Sequence, residues 1–237
     1  MAQQPPSRRV GEGLDRASRH WRSLAGTGWT IAISRQAGAD GPAIARAVGE
    51  RLGWLVYDRE LVDVIAYDMG LRTKLVESVD EKRPGWLASL MQAIGSPDIT
   101  PSDYARHLKY VLTGLAGCGE CVIVGRGAAQ ILPRTTTLRV RLVAPEDSRV
   151  GAIQQRFDLT EQEARRWVEK ADWERERFVQ THFHRDVNDA SLYDLVLTTS
   201  RLGVAGCADL IVAALEQLQG AAEASTVPLR EPEATAP

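Results

Sequence analysis

The chain has 237 residues, of which 44% are hydrophobic and 25% charged, and its formal net charge is −2 at pH 7. This composition is ordinary for a globular protein and gives no global electrostatic reason to expect binding to nucleic acid or to a membrane surface. Three cysteines are too few for a disulfide framework, and no apolar run reaches the roughly 18 residues of a membrane-spanning helix. We therefore expect a cytoplasmic protein with neither partner.

The two ends of the chain differ in composition from its middle. Residues 1–28 carry several arginines and few acidic residues, and no apolar segment follows them, which predicts a flexible basic arm rather than a secretory signal. Residues 219–237 are rich in Ala, Glu, Pro and Thr without periodicity, which predicts a disordered tail. A single folded domain is expected over residues 29–218.

The first predicted elements are a strand, a loop and a helix. Residues 29–34 form a β-rich run, and a glycine-bearing loop leads to a helix that starts near Pro42, since proline suits the first helical turn. Apolar residues recur at helical spacing as far as Leu52. Residues 54–57 read as a second short strand, after which Asp58 can cap another helix.

The middle of the chain contains a weakly patterned segment between two regular parts. Residues 72–101 have mixed polarity and several breakers, which predicts a lid-like insertion. A helix then opens at Pro101, and residues 121–124 and 138–143 form the next two strands.

The last third of the chain alternates helix, strand and helix. Thr160 and Glu163 form a capping-box pattern that opens a long charged helix to about residue 179. Residues 192–197 are predicted to be a strand and residues 204–218 a final helix. Nearly continuous apolar strands that alternate with helices predict a parallel sheet covered on both faces.

The loop after the first strand is a candidate phosphate site, because glycines allow close approach of the backbone and a helix N-terminus offers free N–H groups. Against the pattern G-x-x-x-x-G-K-[ST], only Gly41 matches, while Pro42 and Ala43 replace the lysine and the hydroxyl. By itself the loop fits a phosphate site or a tight turn. The candidate phosphate-binding residues are Ser34, Arg35, Gly38, Ala39, Asp40, Gly41, Pro42 and Ala43.

A set of motifs in a fixed order makes the interpretation more specific. They are Ile33-Ser34-Arg35 with Gly38 and Gly41, Leu52-Gly53 leading into residues 57–61, Gly125-Arg126, Ile131-Leu132-Pro133, residues 138–143 with Ala144 and Arg149, Asp172-x-x-Arg175, and residues 193–200. Over about residues 29–218 the chain resembles the cytidylate kinase-like family of nucleoside monophosphate kinases.

The resemblance implies an α/β protein with a three-layer P-loop kinase fold, in which helices flank a central parallel sheet and a helical lid is present. It implies ATP and Mg²⁺ as cofactors and small-molecule nucleotides as partners, with CMP as the acceptor. Arg126 would bind the acceptor phosphate, and Asp172 and Arg175 the pyrimidine base or its phosphate. These three are the candidate catalytic residues, and Asp58 completes the candidate acceptor-binding set.

Departures from the family pattern keep alternatives open. Asp40 stands where the family has glycine, and the lysine and hydroxyl that would neutralise phosphate charge are missing. Arg35 could supply a replacement cation. The alternatives are a catalytically weak nucleotide-binding or regulatory protein, and a kinase for another small acceptor. The oligomeric state is left open.

Other chemistry-bearing residues are explained by ordinary structure. Cys118 and Cys121 precede a strand, which does not suit a redox motif, and no further ligands for zinc lie nearby in sequence, so no metal site is predicted. His182 and His184 are interpreted as a solvated pair. A further group of arginines is interpreted mostly as a solvated helix face: Arg149, Arg156, Arg165, Arg166 and Arg177.

Overall fold

Five parallel strands form a central sheet in the computed structural model, which describes residues 28–57 and 101–226. Their spatial order is β2-β3-β1-β4-β5, and every pair of neighbours is parallel, as the sequence predicts. The strands are β1 (Thr30–Arg35), β2 (Leu55–Tyr57), β3 (Cys121–Val124), β4 (Thr137–Val143) and β5 (Leu195–Thr198).

Helices connect the strands and cover both faces of the sheet. In the described part of the chain they are α1 (Gly41–Leu52), α2 (Pro101–Cys118), α3 (Ala128–Ile131), α4 (Glu146–Phe157), α5 (Glu161–Phe183) and α6 (Thr199–Thr226). A single 3₁₀ turn, Ala190–Leu192, precedes β5.

Each face of the sheet contributes to a separate hydrophobic core. On one face Ile31 and Ile33 of β1 pack with Ile44 of α1 and Ile211 of α6. On the other face Ala32 packs with residues of α2 and α3. Alternate residues of β1 therefore enter different cores, which explains why Ile31, Ala32 and Ile33 are all apolar.

The connections that follow β1 and β3 leave the sheet on opposite faces. The chain after β1 enters α1, whose buried side chains belong to one core, and the chain after β3 enters α3, whose Ala128 and Ala129 belong to the other. Since β1 and β3 are neighbours, a crevice opens between their carboxyl ends, which is where α/β sheets bind ligands.

Several predicted helix boundaries are confirmed by the backbone. The helix α1 ends where expected, since Gly53 adopts a left-handed conformation with φ 70° and its N–H bonds to the carbonyl of Gly49. The capping box is present in both directions, with the Thr160 hydroxyl accepting from the Glu163 N–H and the Glu163 carboxylate accepting from the Thr160 N–H.

Two predictions about the end of the chain need correction. The last strand begins at Leu195 and not at residue 192, because the side chain of Asp189 accepts the Ser191 N–H at 2.9 Å and holds a 3₁₀ turn there. The final helix α6 is interrupted at Gly203, with φ 66° and ψ 177°, and continues to Thr226. Residues 219–226, predicted to belong to a disordered tail, are helical.

Helix α6 is long and apolar enough to cross a membrane by length and composition alone, which is weak evidence for a membrane span. Its residues Cys207, Ala208, Ile211 and Leu215 are buried in the same core as α1. Packing against α1 and the sheet accounts for these apolar residues.

Three predictions fall wholly or mainly outside the described residues. They concern the basic arm, the lid-like segment at residues 72–101, of which only Pro101 is described, and the candidate acceptor-binding residue Asp58.

Candidate active site

The loop between β1 and α1 has a backbone that turns sharply around two residues with positive φ. Gly38 has φ 77°, and Asp40, the residue before α1, has φ 50°. A Cβ atom on Gly38 would lie 2.5 Å from the carbonyl oxygen of Arg149 and 2.9 Å from its Cα, so no larger residue fits. Gly41 and Pro42 then begin α1, and because proline has no N–H and the Ile44 N–H bonds to the Asp40 carbonyl at 3.0 Å, Gly41 and Ala43 are the residues that carry the remaining N–H groups of this turn.

Gln36 anchors the start of this loop to the end of β4. Its backbone N–H donates to the carbonyl of Leu142 at 3.0 Å, and its side-chain Oε1 accepts the N–H of Ala144 at 3.1 Å. Gln36 stands where the phosphate-loop pattern has its first glycine. Its side chain thus takes a bracing role that the sequence analysis did not identify.

Asp172 and Arg149 hold the next residue of the loop, Ala37. The carboxylate oxygen Oδ1 of Asp172 accepts the Ala37 N–H at 2.7 Å, and Oδ2 pairs with Nη1 of Arg149 at 2.5 Å. The same Nη1 donates to the Ala37 carbonyl at 3.2 Å. Arg149 was named in the family motifs and also in the group of arginines predicted to lie mostly on a solvated face, and for Arg149 the second prediction was made. That prediction is wrong, because the residue is 8% exposed and its guanidinium lies among loop carbonyls.

The turn after β3 lies beside the loop. Gly125, Arg126 and Gly127 all have positive φ, at 77°, 55° and 71°. The N–H of Gly125 donates to the carbonyl of Ile33 at 2.8 Å, so the ends of β3 and β1 are joined. A non-glycine residue held in the left-handed region is strained by about 1–3 kcal/mol, and such positions cluster at ligand sites.

The side chain of Arg35 crosses the gap between the loop and this turn. The atom nearest to a Cβ built on Gly125 is Nη1 of Arg35, and a Cβ on Gly41 would lie 2.7 Å from Arg35 Cγ. Both glycines are therefore required for the path of this arginine. A Cβ atom on Gly127 would similarly overlap the ring of Phe183 at the end of α5.

A buried arginine on β4, Arg141, completes the cationic side of the site. Its Nη1 donates to the Ser34 hydroxyl at 2.9 Å and its Nη2 to Asn188 Oδ1 at 3.1 Å. The Tyr193 hydroxyl donates to the Val187 carbonyl at 2.9 Å and lies 3.4 Å from the Ser34 hydroxyl. Burial lowers the pKa of Arg141 from its usual value, although the nearby Tyr193, Asp172 and Glu176 oppose the shift.

Sequence reasoning missed Arg141, although a signal was available. Two arginines, Arg139 and Arg141, alternate within a strand predicted to be covered on both faces. Arginine is almost never buried without a partner, so such a position indicates a polar network at the strand's carboxyl end.

Most of the predicted site residues come together at one edge of the sheet. The side chain of Arg35 lies beside the loop, Arg126 is in the turn after β3, and Arg175 is on α5. The Nη1 atom of Arg175 is 3.8 Å from Oδ1 of Asp172. Asp40 is the last residue before α1. It is exposed and borders α6, where burial and then the charge of Asp40 raise the pKa of the Cys207 thiol.

The described residues hold no group of three or more His, Cys, Asp or Glu side chains that could bind a metal ion. Cys118 and Cys121 are free thiols, and the His182 ring packs on Phe178 with centroids 4.7 Å apart. A magnesium ion held by the loop itself does not fit either. Ala43 offers no oxygen at the hydroxyl position, and both oxygens of Asp172 are engaged.

A comparison with protein families decides the identification. The model of the "Cytidylate kinase-like family" matches residues 30–201. This chain belongs to the cytidylate kinase-like family. The resemblance stated from the sequence is thereby confirmed, and membership of the cytidylate kinase-like family supports a kinase, that is, a nucleotide-binding transferase, without naming its acceptor.

A comparison with solved structures finds similar chains at low sequence identity. An uncharacterized protein from Eubacterium ventriosum ATCC 27560 is 20% identical, with a TM-score of 0.61, and the match covers 79% of this chain and 98% of that one. A shikimate kinase from Acinetobacter baumannii, solved in complex with shikimate, is 14% identical with a TM-score of 0.45, covering 85% and 98%. A search of curated proteins finds no match. The five-stranded parallel sheet flanked by helices is an α/β P-loop kinase fold.

Proposed function

We propose that the protein is a kinase that transfers the γ-phosphoryl group of ATP to a pyrimidine nucleoside monophosphate such as CMP. One observation carries the proposal. The loop before α1 and the turn Gly125-Arg126-Gly127 lie side by side at the carboxyl ends of β1 and β3, with the Arg35 side chain between them. A donor phosphate and an acceptor phosphate bound at these two places would face each other across one arginine.

The donor would bind to the loop mainly through backbone groups. The N–H groups of Gly41 and Ala43 in the first turn of α1 would donate to phosphate oxygens, and the positive end of the helix dipole would attract these oxygens. Since Pro42 and Ala43 supply neither an ammonium nor a hydroxyl, the proposal assigns to Arg35 the neutralising charge that the usual lysine gives. Arginine suits this task because its planar donors bind phosphate oxygens in pairs.

The acceptor would bind on the side of the turn after β3. Arg126 is assigned to the acceptor phosphate, and Arg175 on α5 to the same phosphate or to the base. Asp58 remains part of the proposed acceptor set. The reaction needs no covalent intermediate, because positioning and charge stabilisation account for phosphoryl transfer in such enzymes. Mg²⁺ would arrive with ATP, held by its phosphates and water, and would supply further charge neutralisation.

The missing lysine and hydroxyl favour a second candidate function, a nucleotide-binding or regulatory protein with little turnover. The two candidates share the fold and the loop and differ in whether Arg35 suffices for transfer. A kinase with another small acceptor is a variant of the first candidate.

The test is ADP release from ATP·Mg²⁺ with CMP, dCMP, UMP or no acceptor. The Arg126→Ala variant is compared with Arg134→Ala, which removes an exposed arginine that contacts Asp194 and Ser191 at the other end of the strands. CMP-dependent release that collapses in Arg126→Ala and persists in Arg134→Ala is the expected result. Nucleotide binding without release for any acceptor would select the second candidate.

A further inference from the structure

The family resemblance implies that Asp172 binds the acceptor base, but in the structure the Asp172 side chain contacts other residues of the protein. Its side chain is 18% exposed, and its two oxygens reach the Ala37 N–H at 2.7 Å and the Arg149 guanidinium at 2.5 Å. Arg175 approaches Oδ1 at 3.8 Å from the next turn of the same helix. The carboxylate is therefore surrounded by the donors that neutralise it.

Arg149 closes the arrangement from the other side. Its Nη1 donates to the carbonyl of Ala37 at 3.2 Å, and its Nε donates to the carbonyl of Ala144 at 3.0 Å. The N–H and the C=O of Ala37 are thus each bonded to one member of an ion pair. An ion pair that brackets both polar groups of a single residue fixes the orientation of the two peptide planes that meet there.

Packing adds to this restraint. The Ala37 side chain is 1% exposed and lies in a small core with Val150 and Ile153 of α4 and Val168 of α5. Gly38 lies close to the backbone of Arg149, since a Cβ atom added to it would be 2.5 Å from the Arg149 carbonyl oxygen. The loop is consequently held against α4 and α5 by the side chain of Ala37, by the backbone groups of Ala37 and by the close approach of Gly38.

We propose that Asp172, together with Arg149, is a positioning residue that sets the conformation of the phosphate loop for ATP, and that it does not read the acceptor base. This inference rests on the proposed binding of ATP at the loop. A loop with no lysine of its own depends on its backbone N–H groups to bind phosphate, and the directions of those groups depend on the loop's shape. Turning Asp172 toward a base would break the Ala37 bond and leave the Arg149 charge poorly compensated.

The test uses full-length protein with two single variants, their double variant and a control variant. Asp172→Asn keeps the shape of the side chain and removes its charge, and Arg149→Met keeps the aliphatic stem. The control is Asp194→Asn, because Asp194 also accepts a backbone N–H, that of Arg139 at 2.8 Å, and also pairs with an arginine, Arg134 at 3.5 Å, away from the loop. ATP dissociation constants are measured by calorimetry, and those of CMP, dCMP and UMP in the same way without ATP.

The expected result is that Asp172→Asn and Arg149→Met each weaken ATP binding by about tenfold, as the loss of a charged hydrogen bond does. The double variant is expected to be no weaker than either single one, since the two residues act as one unit. Acceptor binding and the Asp194→Asn control are expected to stay unchanged. Unchanged ATP binding with weakened CMP binding in Asp172→Asn would overturn the proposal, and so would an equal loss in Asp194→Asn.

Hydrogen exchange separates this inference from the proposed function. If the wild-type protein binds no ATP, the proposed function fails. The positioning claim is then decided by the Ala37 amide, which is expected to exchange slowly in the wild type and faster in both single variants. Fast exchange of that amide in the wild type would overturn the inference even if ATP binds.

Discussion

Arg141 and Ser34 are paired residues on the adjacent strands β4 and β1, and the guanidinium donates to the hydroxyl at 2.9 Å. The arginine is 6% exposed and is held by two neutral oxygens, those of Ser34 and Asn188. A buried cation of this kind is stable only while its hydrogen bonds are made. The stability of this edge of the sheet therefore depends on the two hydrogen bonds of the Arg141 guanidinium.

We expect Arg141→Lys to destabilise the protein although it keeps the charge. A single ammonium cannot reproduce the spread of two guanidinium nitrogens, so one of the two oxygens loses its donor at a cost of about 1–3 kcal/mol. The measurement is the urea midpoint, with Arg166→Lys on the exposed side of α5 as the matched control. Equal midpoints for the two variants would contradict the assignment.

Gly38→Ala is expected to be far more damaging than Gly53→Ala. Both residues have positive φ, at 77° and 70°, so alanine is strained by about 1–2 kcal/mol at either position. Only at Gly38 does the added Cβ meet the backbone of Arg149, whereas nothing lies within 4 Å at Gly53. Thermal unfolding of the two variants isolates the cost of this contact. Equal decreases in melting temperature for the two variants would mean that the loop can move away from α4 freely.

The double change Pro42→Lys with Ala43→Ser restores the two missing groups of the phosphate-loop pattern. We expect ADP release to rise by about tenfold or more, because a cation and a hydroxyl at the donor phosphates stabilise the transferred group. Pro42→Ala alone is the control for removal of the proline. A rate unchanged from the wild type would show that Arg35 already supplies the needed charge. Activity that appears only in the double variant would identify the natural protein as a binder.

The buried thiol of Cys121 is expected to make the free energy of unfolding decrease as the pH rises through the alkaline range. Burial raises its pKa from 9.0 to about 12, with the Thr30 hydrogen bond opposing and Cys118 assisting the shift. Between these values the unfolded chain loses the proton and the folded chain keeps it, so the free energy of unfolding falls as pH rises, by up to about 4 kcal/mol.

We expect Cys121→Ala to remove this component of the alkaline slope, while Cys118→Ala, at a partly buried thiol, keeps most of it. Urea unfolding of the three proteins under reducing conditions, at intervals from pH 8 to 11, gives the slopes. The same slope in the wild type and in Cys121→Ala would exclude the buried thiol as its source.

Local signals in the sequence were sufficient for most of the fold. Gly53 and the Thr160–Glu163 box mark helix ends through contacts between residues close in the chain, and both were predicted correctly. The parallel sheet followed from strands such as Cys121–Val124 that are apolar on both faces.

The contacts of the site were harder to predict because they join distant residues. Asp172 reaches Ala37 across 135 positions, and Arg149 reaches the same residue across 112. On a helix, the spacing of Asp172 and Arg175 predicts only the local pair, which is the longer contact at 3.8 Å. The order of motifs identified the family, but the partners of each charged residue are set by tertiary packing.

The opposite directions in which the chain leaves β1 and β3 have a consequence for how this protein could diversify. The helix α1 packs in one core, and the helix α3 packs in the other. Apolar substitutions beneath α3 would therefore disturb a different core from apolar substitutions beneath α1. Such an arrangement would allow substitutions on the side of Arg126 to change ligand specificity while the core beneath α1 stays the same.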